Sequence, residues 1–333
     1  MPRTPVGERE IERKVVAILR VLDMAEGPLG ARLIAQRLHE YGVELSERAV
    51  RYHLQLMDGR GLTQGLGEPG RVITDQGRME LREARVGDKV GFVVSRIDAL
   101  AYRATYDLNN GQGDIILNIS LIPKNEFRRS VEIMREVFRA GYSMGELVAV
   151  AGESERLGEM LVPAGYQAFG TVCSVTLNGV LLKQGIPVES RFGGLLQIQE
   201  RSPLRFTELI DYAGTTLDPL EIFIAGKLTS VTEASRTGDG KIGASFREAP
   251  ALSLGQINGL LAGMREAKLG GVIAIGRPSH PLLDIPVGVD MVGLIVIGGL
   301  TPLAAVQEAG VPVINKAMST LVPYTQLVSI WDL

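Results

Sequence analysis

Arg48, Arg51, Tyr52 and Gln55 stand three and four residues apart in the stretch LSERAVRYHLQLMDGRGL. Each can make directed hydrogen bonds. A guanidinium pairs with the O6 and N7 of guanine or clamps a phosphate, a carboxamide pairs with adenine, and a phenol reaches a phosphate or a thymine methyl. Arg71, just past the tip of the tight turn GEPG, adds a fifth group of the same kind. At about 100° per residue the first four form one polar stripe on a helix, with Val50, His53, Leu54 and Met57 on the other side. Ser46 is placed to cap that helix, and Gly59 and Gly61 to end it.

A second set of residues suits a small anion. Cys173, Ser174, Thr176 and Asn178 follow one apolar strand-like run, and Gly298, Gly299 and Thr301 follow another. Both runs turn directly into a helical pattern, the second with Pro302 at a favoured first helical position. A helix start presents unpaired N–H groups and a partial positive charge, which suit a carboxylate or phosphate. Arg191 and Lys316 are the cations that accompany these two turns.

Catalytic groupings are sparse. The three histidines, at 39, 53 and 280, do not have metal-ligand spacing. There is no G-x-S-x-G and no G-x-x-x-x-G-K-[ST]. Cys173 is the single cysteine, which excludes an intrachain disulfide framework and fits a reducing cytoplasm. The second half of the chain therefore reads as a sensor rather than a catalyst. No metal or cofactor is expected.

The elements that must position these groups fall into two domains, expected at residues 1–87 and 88–333. In the first, Ile11, Val15, Ile18 and Leu22 repeat at helical spacing. A second short helix follows, with Leu33, Ile34 and Leu38 facing inward. Next come the polar-striped helix, a hairpin over LTQGLGEPGRVIT, and a fourth helix capped by Thr74. That order is a winged helix-turn-helix. Gly65, Gly67 and Gly70 spell G-x-G-x-x-G, but the spacing straddles Pro69 and leads into a strand, so it reads as a wing turn, not a dinucleotide loop.

The second domain mixes strands and helices, with VGFVVSRI and GDIILNISLI both expected as strands. Residues 147–188 and 272–313 align without a gap at an offset of 125, with eight identities that include Thr176/Thr301, Gly185/Gly310 and Pro187/Pro312. The expectation is a duplication, about 91–188 and 218–313, joined by a connecting segment and enclosing a site. The fold class is thus α/β (α+β), a winged helix-turn-helix followed by an internally duplicated α/β domain.

Charge agrees with this division. Residues 1–85 hold 14 cations, 13 of them arginine, for a net of +1, on a body of net −4. A weakly basic end on an acidic body points to a nucleic-acid partner at that end. The first residues contain no apolar secretory segment, and the most apolar run, Val292 to Leu300, is far short of a bilayer span.

LSERAVRYHLQLMDGRGLT with LGEPGRVITDQG resembles the winged-helix module of the NrpR nitrogen-regulation repressors of methanogenic archaea. FGTVCSVTLNGVLLKQGIPV, GGLLQI and FTELIDYAGTTLDPLEIFI resemble that family's effector domain. The resemblance implies a homodimeric cytoplasmic repressor of nitrogen-assimilation genes that binds double-stranded operator DNA and is released by 2-oxoglutarate. It names no ligand-contacting residue, so those above rest on the helix-start argument. Two alternatives stay open: an adaptor that needs a second effector-domain protein, and an enzyme fused to a DNA-binding domain.

Overall fold

The computed structural model describes residues 6–25, 27–40, 42–84 and 91–333, with side chains placed throughout except at 6–12 and 83. It divides into two compact units, Met1–Val90 and Gly91–Leu333.

In the first unit, helices α1 (Val6–Asp23), α2 (Ala31–Glu40) and α3 (Glu47–Gly59) precede strands β1 (Thr63–Gly65) and β2 (Arg71–Ile73) and helix α4 (Asp75–Glu83). Val15, Ile18, Leu22, Ile34, Leu38, Val50, Leu54 and Met57 form one buried cluster. Ser46 caps α3 by accepting from the Ala49 N–H at 3.2 Å, and Thr74 caps α4 by accepting from the Gly77 N–H at 3.0 Å. Leu33, expected inside, is exposed on α2; Ile34 and Leu38 are its buried residues, with Ala31 and Ala35 partly buried beside them. The glycine-rich turn joins β1 to β2 as a wing, and Leu29 adds a paired bridge to Arg71 beside it. Gly70 has φ +111°, and a Cβ there would lie 2.4 Å from the Leu29 backbone, so the bridge requires glycine.

The second unit opens with helix α5 (Phe92–Arg103). Phe92 to Ile97 of VGFVVSRI is therefore helix, not strand, and Val90 lies outside the described residues. Its β-branched run is short enough to suit either state, and Val93, Ile97, Leu100 and Ala101 bury one helical face. Then follow β3 (Asp114–Pro123), α6 (Phe127–Arg139), β4 (Leu147–Ala151), the short pair β5 (Arg156–Leu157) and β6 (Met160–Leu161), β7 (Tyr166–Val172), α7 (Val175–Lys183), β8 (Glu189–Gln199) and β9 (Ser202–Asp211). The rest runs α8 (Pro219–Ala225), α9 (Val231–Thr237), β10 (Gly240–Pro250), α10 (Leu254–Glu266), β11 (Val272–Ile275), β12 (Met291–Ile297), α11 (Thr301–Glu308), β13 (Ile314–Pro323) and β14 (Val328–Ser329).

The run β3-α6-β4-β7-α7-β8 thus recurs as β10-α10-β11-β12-α11-β13. The sheets show how the two copies interlock. One has the order β13-β3-β7-β4-β14 and the other β11-β12-β10-β8-β9, with every neighbouring pair antiparallel. Each copy sends its last strand into the other's sheet: β8 pairs with β10, and β13 with β3. The segment expected to join the copies instead forms the β8–β9 hairpin of the second sheet. Helices cross over as well, α7 packing near α10 and α6 against α11. The main core accordingly mixes Leu117, Leu177 and Leu181 of the first copy with Met264 and Leu294 of the second. With both faces covered, β3 and β10 are buried along nearly their whole length instead of on alternate residues.

Candidate functional site

On α3 the side chains divide as the helical spacing requires. Arg48, Arg51, Tyr52 and Gln55 are exposed, and Val50, His53, Leu54 and Met57 are buried. Arg51 pairs with Glu47 one turn earlier, which orients its guanidinium along the outer face. Tyr52 is 60% exposed, with its ring edge-on to His53 at 5.7 Å between centroids. His53 lies at the back of the helix, where burial first and the charge of Lys14 second push its pKa down; the imidazole belongs to the core. Arg71 has a different setting. Its Nε donates to Asp58 Oδ2 at 2.8 Å, and Asp58 Oδ1 accepts from the Thr63 hydroxyl at 2.5 Å. One carboxylate at the end of α3 thereby holds both wing strands, and Arg71 braces the wing. The turn itself, Leu66 to Pro69, offers no cation.

In the second unit the two strand-to-helix turns converge. One narrow cavity, wide enough only for a water-sized body, is lined by Cys173 and Ser174 of the first copy and by Gly299 and Leu300 of the second. Ser174 and Gly299 stand at equivalent places in the repeat. A Cβ on Gly299 would lie 2.3 Å from both Val172 O and Asn118 Nδ2, so this close approach of the copies needs glycine. The other residues singled out from the sequence support the turns. Thr176 Oγ1 lies 3.2 Å from the Ile116 N and O, and Thr301 Oγ1 donates to Gly243 O at 3.2 Å, each fastening its helix start to the adjacent strand. The Gly298 N–H donates to Gly243 O, as that of Cys173 does to Ile116 O. Burial pushes the Cys173 thiol up to about 11, the setting of a packed thiol.

Neither accompanying cation lines the cavity. Arg191 donates to Glu248 Oε1 at 2.5 Å and Pro286 O at 2.7 Å, with its guanidinium 5.7 Å from the Phe246 ring, and so fastens the 276–290 loop. Lys316 is exposed.

Asn118, Asp218 and Arg247, which also line the cavity, went unnoticed in the sequence. Asn118 Oδ1 accepts from the Met318 N–H at 3.0 Å, and Arg96 donates to Met318 O at 2.7 Å. Met318 has φ +48° in a bulge of β13, so its backbone is held where few side chains settle unaided. Asp218 caps α8, accepting from the N–H groups of Leu220 and Glu221, and burial raises its pKa. Arg247 is 1% exposed; its Nη1 donates to Ser174 O at 2.8 Å and to Asn178 Oδ1, and Nε has no hydrogen-bond partner. Asn178, outside the cavity's lining, is held in turn by Ser190 at 3.1 Å, so it positions the arginine in the cavity wall. The signal for Arg247 was a charged pair, Arg247 and Glu248, inside a strand that is buried along nearly its whole length, but the pairing that buries it is remote in sequence.

Comparison with known proteins agrees with both units. The family described as NrpR regulatory domains NRD1 and 2 matches residues 90–329, and the ribonuclease R winged-helix domain matches residues 16–81. The chain is 40% identical over 315 residues to the global nitrogen regulator NrpRI of Methanosarcina mazei, covering 95% of this chain and 97% of that one. It is 33% identical to the global nitrogen regulator NrpR of Methanocaldococcus jannaschii, over 94% of this chain and 54% of that one, and so spans about half of that longer relative. The crystal structure of a nitrogen repressor-like protein from Methanococcus jannaschii matches at a TM-score of 0.61 and 27% identity, covering 72% of this chain and 98% of that chain. A winged-helix unit and an interlocked, duplicated α+β unit, matched over nearly their whole length, place the chain in the NrpR family of nitrogen regulators.

Proposed function

We propose that the protein is a transcriptional repressor of nitrogen-assimilation genes whose operator binding is relieved by 2-oxoglutarate. The observation that carries this reading is the convergence of two duplicated helix starts, at Ser174 and at Gly299, on one cavity. Two helix N-termini aimed at one point favour a ligand with negative charge at both ends, as a dicarboxylate has. As it stands the cavity holds little more than water, so the dicarboxylate enters an opened arrangement, and operator DNA favours the closed one. A ligand shifts such an equilibrium only by its difference in affinity for the two states.

On the DNA side, Arg48, Arg51, Tyr52 and Gln55 are the exposed groups of α3 and enter the major groove. Arg71 acts through the wing. A homodimer sets two such helices about 34 Å apart on a near-palindromic operator, and the larger second unit supplies the dimer contact.

A thermal-shift titration of the full chain tests the ligand assignment. At 100 times its dissociation constant, 2-oxoglutarate stabilises by about 2.7 kcal/mol. No shift at millimolar ligand rejects it. The relative of about twice the length favours a second reading, in which this chain is an adaptor that needs a separate effector-domain protein. Operator binding by the purified chain alone rejects that adaptor reading.

A further inference from the structure

We infer that Arg247 is the anion anchor of the cavity, taking one carboxylate of a single dicarboxylate per chain. The inference rests on the ligand reading above and adds to it the residue, the orientation and the stoichiometry.

A buried guanidinium is costly unless an anion accompanies it. Arg247 is wholly buried, yet its bonds run to a backbone carbonyl and to a carboxamide, both neutral. Glu248, next to it in the chain, is taken by Arg191. Asp218, on the cavity's lining, is taken up by the N–H groups that it caps. The guanidinium thus has hydrogen-bond partners on one edge and an unpartnered Nε, in a side chain that lines the cavity. A planar guanidinium with an unpartnered Nε in a buried site matches a carboxylate.

The duplication indicates that the fold does not need an arginine at this place. In the sheet registers Arg247 faces Ser190, and Ser120 faces Asn315. Those are equivalent places in the two copies. At Ser120 the fold is satisfied by a hydroxyl donating to Asn315 Oδ1 at 2.7 Å. A cavity built from two equivalent turns therefore carries a cation from one copy only. That asymmetry fixes the ligand's orientation, with one carboxylate on Arg247 beside the α7 start and the other toward the α11 start, and it limits the site to one molecule.

The test uses the full chain, with calorimetry and thermal melting in 2-oxoglutarate. Wild type is expected to bind one molecule per chain. Arg247→Met is expected to melt at or above the wild-type temperature without ligand, because an uncompensated buried charge has gone, and to lose the ligand-induced shift. Arg247→Lys, a point charge in place of the fork, is expected to bind about tenfold to a hundredfold more weakly. A ligand shift of wild-type size in Arg247→Met overturns the inference and leaves the ligand reading standing. If Arg247→Met does not fold, wild-type affinity in Arg247→Lys, or two molecules bound per chain, overturns it instead. Wild type that ignores 2-oxoglutarate but gives an Arg247-dependent shift with citrate or sulfate retains the anchor and rejects the ligand reading. No response to any of the three rejects both.

Discussion

The guanidinium of Arg247 donates to the carbonyl of Ser174 at 2.8 Å, joining a strand of the second copy to the first helix turn of the other. The bond exists because the copies exchange their last strands: β8 must lie beside β10 before Arg247 can reach α7. Whatever alters this cavity acts on both copies together, as a site that biases a two-state element must.

Gly299→Ala tests how closely the copies approach. The added methyl meets Val172 O and Asn118 Nδ2 at 2.3 Å, and backbone cannot give way there as a flexible side chain can. The variant should lose about 1–3 kcal/mol of stability in urea unfolding and should no longer respond to ligand. Unchanged stability and response would show that the turn tolerates a wider spacing.

Arg48→Ala or Arg51→Ala should each weaken operator binding by about 1–3 kcal/mol in a mobility-shift assay. Melting should be unaffected, since both side chains are exposed and neither belongs to the buried back of α3. Full affinity in both variants contradicts the assignment of α3 as the reading helix.

The wing predicts a different pattern. Asp58→Ala releases Arg71 and Thr63 together, whereas Arg71→Ala releases only one strand. Both should destabilise the first unit, Asp58→Ala the more, each by about 0.5–1.5 kcal/mol in denaturant unfolding. DNA affinity should fall in both, although one substitution removes a negative charge and the other a positive one. Tighter DNA binding by Asp58→Ala would instead make Arg71 a direct contact.

Burial pushes the Glu221 carboxyl up to about 7, opposed by its bond from the Ala317 N–H and raised further by Asp218, with Arg96 and Lys316 acting to lower it. The folded chain therefore holds a proton that the unfolded chain gives up at its ordinary carboxylate pKa. Stability from this group is fully present below about pH 4.5 and is lost as pH rises toward 7, with a slope approaching 1.4 kcal/mol per unit. Asp218, also raised, adds in the same sense. Urea unfolding followed by Trp331, the single tryptophan and a reporter on the second unit, should show this slope between pH 5 and 7 and a shallower one in Glu221→Gln. Equal slopes in the two proteins contradict the assignment.

Much of the first unit was legible because its rules are local. Ser46, the apolar spacing of Val50, Leu54 and Met57, and the GEPG turn each act within one helix or hairpin. The second unit was legible only where a signal was local or repeated. The offset of 125 revealed equivalent turns at Ser174 and Gly299, and these meet. The exchange of β8 and β13 joins strands remote in sequence, so the β8–β9 segment read as a connection and Arg247 as an ordinary strand residue. Arg191 misled for the same reason: repeat position marked it, but its partner Glu248 comes from the neighbouring strand. Val93 to Ile97 read as strand because a short β-branched run suits either state until packing selects one.

The central claim is that one small anion, bound in the second unit, loosens the grip of α3 on DNA. Fluorescence anisotropy of the full chain on a palindromic duplex selected from random DNA, titrated at several fixed 2-oxoglutarate concentrations, measures it directly. The account predicts at least a tenfold loss of affinity at saturating ligand, about 1.4 kcal/mol of coupling, with operator DNA weakening ligand binding by the same factor. Operator affinity that stays constant to millimolar 2-oxoglutarate contradicts it.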